Sequence, residues 1–350
     1  IIQARNMTSE SIDFTNPKYL SQSDWGKYRD KHKPNIGDIL FSNIGTIGKS
    51  VVVDKELDYL IHWNIFKIVV NQELIKPNYL KQCLGYLTSI DYWDQFQKGG
   101  TVKFVNKKIL NEIQIPLPPL SIQQEIVAEI EGYQKIIDGA KAVVANYKPI
   151  IDINPDWEMV ELGEVCEHIT KGTTPTTNGF QWQESGINFI KIQNINTDGT
   201  ISNDKMAFIS QECHESLKRS QLQEYDVLFS IAGTKMGITG IVDSSLLPAN
   251  TNQALAIIRS KGEYAPEFIK HYLMSANVQD DMERLKVGVA QSNLSLKQVS
   301  EIKIPKVVIE TQLEIVSQIK KEQELVNSNK QLIEIFEQKI KDRIAKVWGE

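Results

Sequence analysis

The most inviting chemistry in this chain is a phosphate cradle. Gly45-Thr46-Ile47-Gly48-Lys49-Ser50 ends as a P-loop ends, with a lysine to meet phosphate and a hydroxyl to meet a metal ion. That pattern needs a further glycine at position 43, where Asn43 stands, and a helix must follow to point its first amides at the anion. Val51-Val52-Val53 reads as a strand, which makes a Gly-Thr turn between strands the better reading. Metal chemistry finds less support. Pro155-Asp156 could open a metal-dependent nuclease site, but no acid-x-Lys strand follows to complete it. The five histidines (His32, His62, His168, His214, His271) are scattered without metal-ligand spacing. Cys83, Cys166 and Cys213 never form a CxxC pair, which argues against a disulfide framework or a zinc site and fits a cytoplasmic location.

Methyl transfer is the other temptation. Asn16-Pro17-Lys18-Tyr19 and Asn154-Pro155-Asp156-Trp157 approach an Asn-Pro-Pro-aromatic amino-methylation loop, but each lacks the second proline. No glycine-rich turn follows a strand to hold a methyl donor, and no serine, cysteine or histidine arrangement supports a nucleophile. The chain reads as built to bind. Its 350 residues, 41% hydrophobic and 24% charged, suit a globular protein of at least two domains. No apolar run approaches the roughly 18 residues that span a bilayer. A net charge of −5 does not advertise a nucleic-acid binder.

The elements that would position any site come in two copies. Asp38-Ile39-Leu40-Phe41-Ser42 reappears as Asp226-Val227-Leu228-Phe229-Ser230, and Gly45-Thr46 as Gly233-Thr234. Pro77-Asn78-Tyr79-Leu80-Lys81 aligns with Pro266-Glu267-Phe268-Ile269-Lys270, and Glu112 to Pro116 with Glu301 to Pro305. Gln123, Glu125, Ile126 and Val127 align with Gln312, Glu314, Ile315 and Val316. The offset is 188 before one inserted residue and 189 after it, through segments of unlike composition, which marks a duplication. By this offset the first copy lacks roughly its first 30 to 35 residues. Strands are expected at Ile39 to Ser42, Ser50 to Val53 and Ile65 to Val70, a helix from Pro77 to about Leu87, and a loop at Gly99-Gly100.

After Ser121 the period changes. Ile126, Ile130, Tyr133, Ile137, Ala140, Val144 and Tyr147 alternate four and three apart, a coiled-coil seam that stops at Pro149. In the second copy Ile319, Val326, Ile333, Ile340 and Val347 recur every seven residues, with Glu322, Asn329 and Phe336 between them. Each helix could simply cover its own domain's core. So narrow and long a stripe favours pairing of the two helices, with Asn329 setting register.

These residues carry a resemblance. A Trp157…Leu162-Gly163 opening leads into Gly172-Thr-Thr-Pro175; the Asp-Val-Leu-Phe-Ser strand follows; Ile115-Pro-Leu-Pro-Pro-Leu-x-x-Gln-x-Glu-Ile126 opens the long helix. The chain resembles the DNA-specificity subunit of type I restriction-modification systems. The second copy departs from the pattern at Lys306-Val307-Val308-Ile309 but keeps Gln312 and Glu314.

The resemblance implies an α+β chain of two target-recognition domains, residues 1–120 and 151–309, with spacer helices at 121–150 and 310–350 packed as an antiparallel coiled coil. Each domain would read half of a split site in double-stranded DNA. Partners would be modification subunits, two in number, with restriction and translocase subunits beyond them. S-adenosylmethionine, ATP and Mg would belong to those partners, with no cofactor in this chain. The expected DNA-facing residues are Lys98, Lys103 and Lys107 in a lysine-rich loop, Lys171, Thr173 and Thr174, Lys191, Gln193 and Asn194, and Thr234 with Lys235. Two alternatives stay open at this stage: a piece of a fused DNA methyltransferase, and a scaffold that uses the same helices without DNA.

Overall fold

The computed structural model describes residues 1–8, 11–96, 104–233, 236–286 and 293–349. The chain divides into two compact units, Ile1–Ala145 with Ser328–Glu350, and Asn146–Asn327.

In the first unit α1 (Gln22–His32) precedes three strands, β1 (Ile39–Ser42), β2 (Ser50–Val52) and β3 (Ile65–Ile68). The helices α2 (Pro77–Ser89), α3 (Lys107–Asn111) and α4 (Leu120–Asn146) follow. The sheet is antiparallel in the order β2-β1-β3. As its central strand, β1 is buried on both faces, and its period of two splits it between cores. Leu40 packs with Ile2, Val51 and Ile65, while Ile39 and Phe41 pack with Leu84, Leu87 and Trp93. The turn between β1 and β2 is the P-loop lookalike. Gly48 sits at φ +93°, and a Cβ there would fall 2.2 Å from Thr88 Oγ1, so the position demands glycine for packing. Lys49 is spent on the fold: its Nζ donates to the Met7 carbonyl at 2.9 Å.

The second unit begins with β4 (Met159–Glu161), α5 (Leu162–Val165) and β5 (Cys166–Lys171). Next come β6 (Ile187–Ile190), β7 (Ala207–Ile209), α6 (Gln211–Ser216), β8 (Val227–Ser230), β9 (Thr239–Ile241), β10 (Ala249–Thr251) and β11 (Leu255–Ser260). It continues with α7 (Pro266–Leu273), α8 (Ala276–Lys286), α9 (Leu296–Ser300), β12 (Lys303–Pro305) and the long α10 (Ile309–Trp348), whose last part belongs to the first unit. One sheet runs β5-β11-β8-β9, a second β10-β6-β7, and β12 pairs with β4. The central β8 repeats β1: Val227 and Phe229 face one core and Leu228 the other. The register of β8 on β11, from Ser230↔Leu255 to Val227↔Ile258, reproduces that of β1 on β3, from Ser42↔Ile65 to Ile39↔Ile68.

Candidate nucleic-acid interface

Each long helix opens on a buried glutamine. Residues before proline are held out of the helical region, so Pro118-Pro119 keep the chain extended until Leu120. One turn into α4, fully buried Gln123 accepts from the Lys76 amide at 2.8 Å. It donates to the carbonyls of Leu74 (3.0 Å) and Pro118 (2.8 Å). In the second unit Gln312 accepts from the Ala265 amide at 2.8 Å and donates to Glu263 and Val307 at 3.1 and 2.8 Å. All four positions correspond at the repeat offset. A further carbonyl is served from different places: Tyr79 donates to Pro116 O at 2.9 Å, and Tyr264 to Pro305 O at 3.2 Å.

Within the first unit α4 lies antiparallel to the last part of α10. Glu129 accepts from Arg343 Nε at 2.6 Å and from Tyr133 Oη at 2.7 Å, and the Arg343 bond holds its carboxyl below the usual range. The Tyr133 and Phe336 rings lie 5.3 Å apart, and Lys141 pairs with Glu337 at 2.9 Å. Ile126 and Ile130 are buried with Ile344, while Ile340 packs partly buried against them. Ile137 and Ala140 are also buried, and Val144 is half-buried. On α10, Ile319 and Val326 are buried, while Ile333, Phe336, Ile340 and Val347 are half-buried. The strict seven-residue seam needs correction at its end. Ile344, 1% exposed, is the buried anchor there, since a helix of 3.6 residues per turn drifts from a 3.5 repeat and Tyr86 meets Trp348 at 5.2 Å.

In the second unit β10 gathers a polar cluster. Thr251 O accepts from the Thr173 amide at 3.0 Å, and Thr251 Oγ1 donates to Ile190 O at 2.8 Å. The neighbouring Asn250 Nδ2 donates to Leu217 O at 3.2 Å and Ser220 Oγ at 2.8 Å. One strand thereby fixes the Lys171–Thr174 turn, the end of β6 with Lys191, and the short turn that carries Arg219. Gly172 is obligatory, since a Cβ there would lie 2.1 Å from Thr251 O. Outward from these anchors Arg219 Nη2 donates to Thr173 Oγ1 at 3.1 Å, and Thr174 donates to Gln253. Lys191 Nζ lies 4.0 Å over the Trp182 ring. Gln193 is exposed beside it. The cluster offers cations for phosphate, amide and hydroxyl groups for base edges, and a half-exposed indole.

The expected residues thus divide. Lys171, Thr173, Thr174, Lys191 and Gln193 come to one region. Lys107 is exposed on α3, in the other unit. Asn194 is a correction: it is 1% exposed, accepting from the Lys191 amide at 3.0 Å and donating to Asp204 O at 3.1 Å, so it shapes the turn and faces no ligand. Lys98, Lys103, Thr234, Lys235 and the Gly99-Gly100 loop lie outside the described residues. Arg219, Gln253 and Trp182 were missed. Lys218-Arg219 is a visible basic pair, but its link to Thr173 spans 46 residues.

Catalytic chemistry gains nothing from the geometry. Burial pushes the Cys83 and Cys166 thiols up to about 12, the reverse of an activated thiolate. Among the described residues no His, Cys, Asp and Glu group could hold a metal, and no helix is long and apolar enough to cross a membrane.

Residues 4–144 and 154–338 each match the type I restriction modification DNA specificity domain. A Methanocaldococcus jannaschii chain named as the MjaX specificity subunit of a type I restriction enzyme is 25% identical, over 97% of this chain and 84% of its own length. The EcoBI specificity subunit of Escherichia coli is 26% identical over 74% of this chain and 61% of its own length. A structure solved in work on complex assembly and conformational transition of the type I R-M system shares the fold. Its TM-score is 0.66 at 19% identity, over 99% of this chain and 90% of that one. With both halves matched by one domain, the chain belongs to the type I restriction-modification DNA specificity family.

Proposed function

We propose that this chain is the DNA-reading subunit of a type I restriction-modification complex and that its two domains read the unlike halves of a split site. One observation carries the reading. At the same place in the two copies, the same backbone pairing presents different side chains. Ile2 bridges Ile61 in parallel in the first, as Ile190 pairs with Thr251 in the second. Around that pairing stand Leu60-Ile61-His62-Trp63 in one copy and Asn250-Thr251-Asn252-Gln253 in the other. A common frame with two faces suits two half-sites of different sequence.

In the second domain Lys171, Lys191 and Arg219 hold phosphates, while Thr174, Gln193 and Gln253 meet base edges. In the first domain Lys98, Lys103 and Lys107 hold phosphates, and Thr234 with Lys235 extends the second domain's contacts. The domains run over residues 1–120 and 151–309. The helices at 121–150 and 310–350 set the spacing between half-sites and dock two modification subunits. Those partners bring S-adenosylmethionine, and restriction subunits bring ATP and Mg chemistry. The chain itself is non-catalytic.

Salt dependence tests the assignment. With modification subunits present, Lys171→Ala or Lys191→Ala should weaken DNA binding for all sequences and lower the salt slope by about 0.9 per lost phosphate contact. Gln253→Ala should leave that slope unchanged and relax discrimination at one position of the site. Unchanged slopes in both lysine variants would remove this face from the interface.

A further inference from the structure

Two short 3-10 turns hold the same place in the two copies, Ala4–Asn6 in the first and Ile192–Asn194 in the second. Each is tied down by a buried asparagine. Asn6, 4% exposed, accepts from the Gln3 amide at 3.1 Å and donates to the Asn16 carbonyl at 3.4 Å. Asn194 accepts from the Lys191 amide at 3.0 Å and donates to the Asp204 carbonyl at 3.1 Å. The exits match as well. The Asn6 carbonyl accepts from the Asp13 amide at 2.7 Å, and the Asn194 carbonyl from the Ser202 amide at 2.8 Å. An antiparallel bridge follows each turn, Met7 with Ile12 and Ile195 with Ile201. Bond for bond, the two turns share one backbone.

Between these anchors each turn carries one exposed side chain, Arg5 in the first copy and Gln193 in the second. Among the described residues neither has a hydrogen-bond or ion-pair partner. A guanidinium and a carboxamide are both planar, and both can make two parallel hydrogen bonds. Their patterns differ. Arginine presents donors alone, which fit guanine O6 and N7, while glutamine presents an acceptor and a donor, which fit adenine N6 and N7. The exchange keeps the shape of the recognising group and changes the base it selects. A phosphate contact gains nothing from such an exchange, because it carries no sequence information and glutamine lacks the charge.

We infer that Arg5 is a specificity-determining residue of the first domain, reading guanine at the place where Gln193 reads adenine in the second. The assignment rests on the DNA-reading function proposed above. A turn whose backbone is already tied at both ends suits the task, since bidentate readout needs the Cα held still.

The test uses the chain with its modification subunits and reads the methylation motif by sequencing of random DNA. Wild type should require a G·C pair in one half of a split motif and an A·T pair in the other. Arg5→Gln should move the first requirement from G·C to A·T, and Arg5→Ala should cut discrimination at that one position about tenfold or more. Gln193→Arg should make the reverse change in the other half. A wild type without a split motif overturns the DNA reading and the inference with it. A split wild-type motif that both Arg5 variants leave unchanged overturns the inference alone. So does equal weakening of Arg5→Ala on all sequences with a salt slope lower by about 0.9, which would make Arg5 a phosphate contact.

Discussion

In the first copy Gln123 ties the helix opening to Leu74, Lys76 and Pro118; in the second Gln312 ties the same opening to Glu263, Ala265 and Val307. Around these shared supports the copies part. Asp226 caps Gln223 and grips Arg259 through two bonds of 2.7 and 2.8 Å, whereas the Asp38 carboxylate makes the corresponding cap to the Asn35 amide at 2.8 Å. Buried His271 stands where the first copy has half-buried Gln82. The comparison teaches what duplication must keep. Hydrogen bonds that open the helix and set strand register are retained, and side chains that face outward or fill one local core are replaced.

The largest expected break lies at the ion pair. Asp226→Asn should cost about 3 kcal/mol, because it leaves a largely buried guanidinium against a neutral partner, while Asp38→Asn should cost about 1 kcal/mol. Denaturant unfolding of both variants checks the contrast, and equal losses would contradict it. The glutamines should behave alike. Gln123→Ala and Gln312→Ala each strand one amide and two carbonyls in the interior and should each cost about 2 kcal/mol.

His271 sharpens the comparison through pH. Burial, then the charges of Lys270 and Lys320, press its pKa down to about 3. In the unfolded chain it titrates near 6.5, so that chain takes up a proton the folded state refuses. Its contribution is therefore complete above about pH 6.5 and is lost as pH falls toward 3, by about 1.4 kcal/mol per unit. His271→Gln, which installs the first copy's residue, should flatten the fall in melting temperature between pH 7 and 5. An unchanged slope would show that His271 is not the sensor. The smallest effect belongs to the seam. Glu129→Gln should lower stability by less than about 1 kcal/mol, since its link to Arg343 is part-exposed.

Much of the frame was legible beforehand because it repeats. The β1 and β8 strands and the two long helices follow from local sequence patterns that occur twice in one chain. The proposed interface was half legible. Lys171 and Lys191 announce themselves by type, but Arg219 reaches Thr173 only through folding. Asn194 looked available because sequence shows that a residue is polar, not that a 3-10 turn consumes both ends of its amide. Ile344 was missed for a related reason: a heptad count assumes a single partner helix, and Ile344 packs against both α4 and α2.

The central claim is that two copies of one frame read two different half-sites. Its most direct measurement is the methylation pattern, by sequencing of random DNA, made by the chain with its modification subunits. Wild type should give a split motif with a fixed gap, and Gln253→Ala with Gln193→Ala should relax one half while the other half and the gap stay as they were. A continuous motif, or equal relaxation of both halves, would contradict the account.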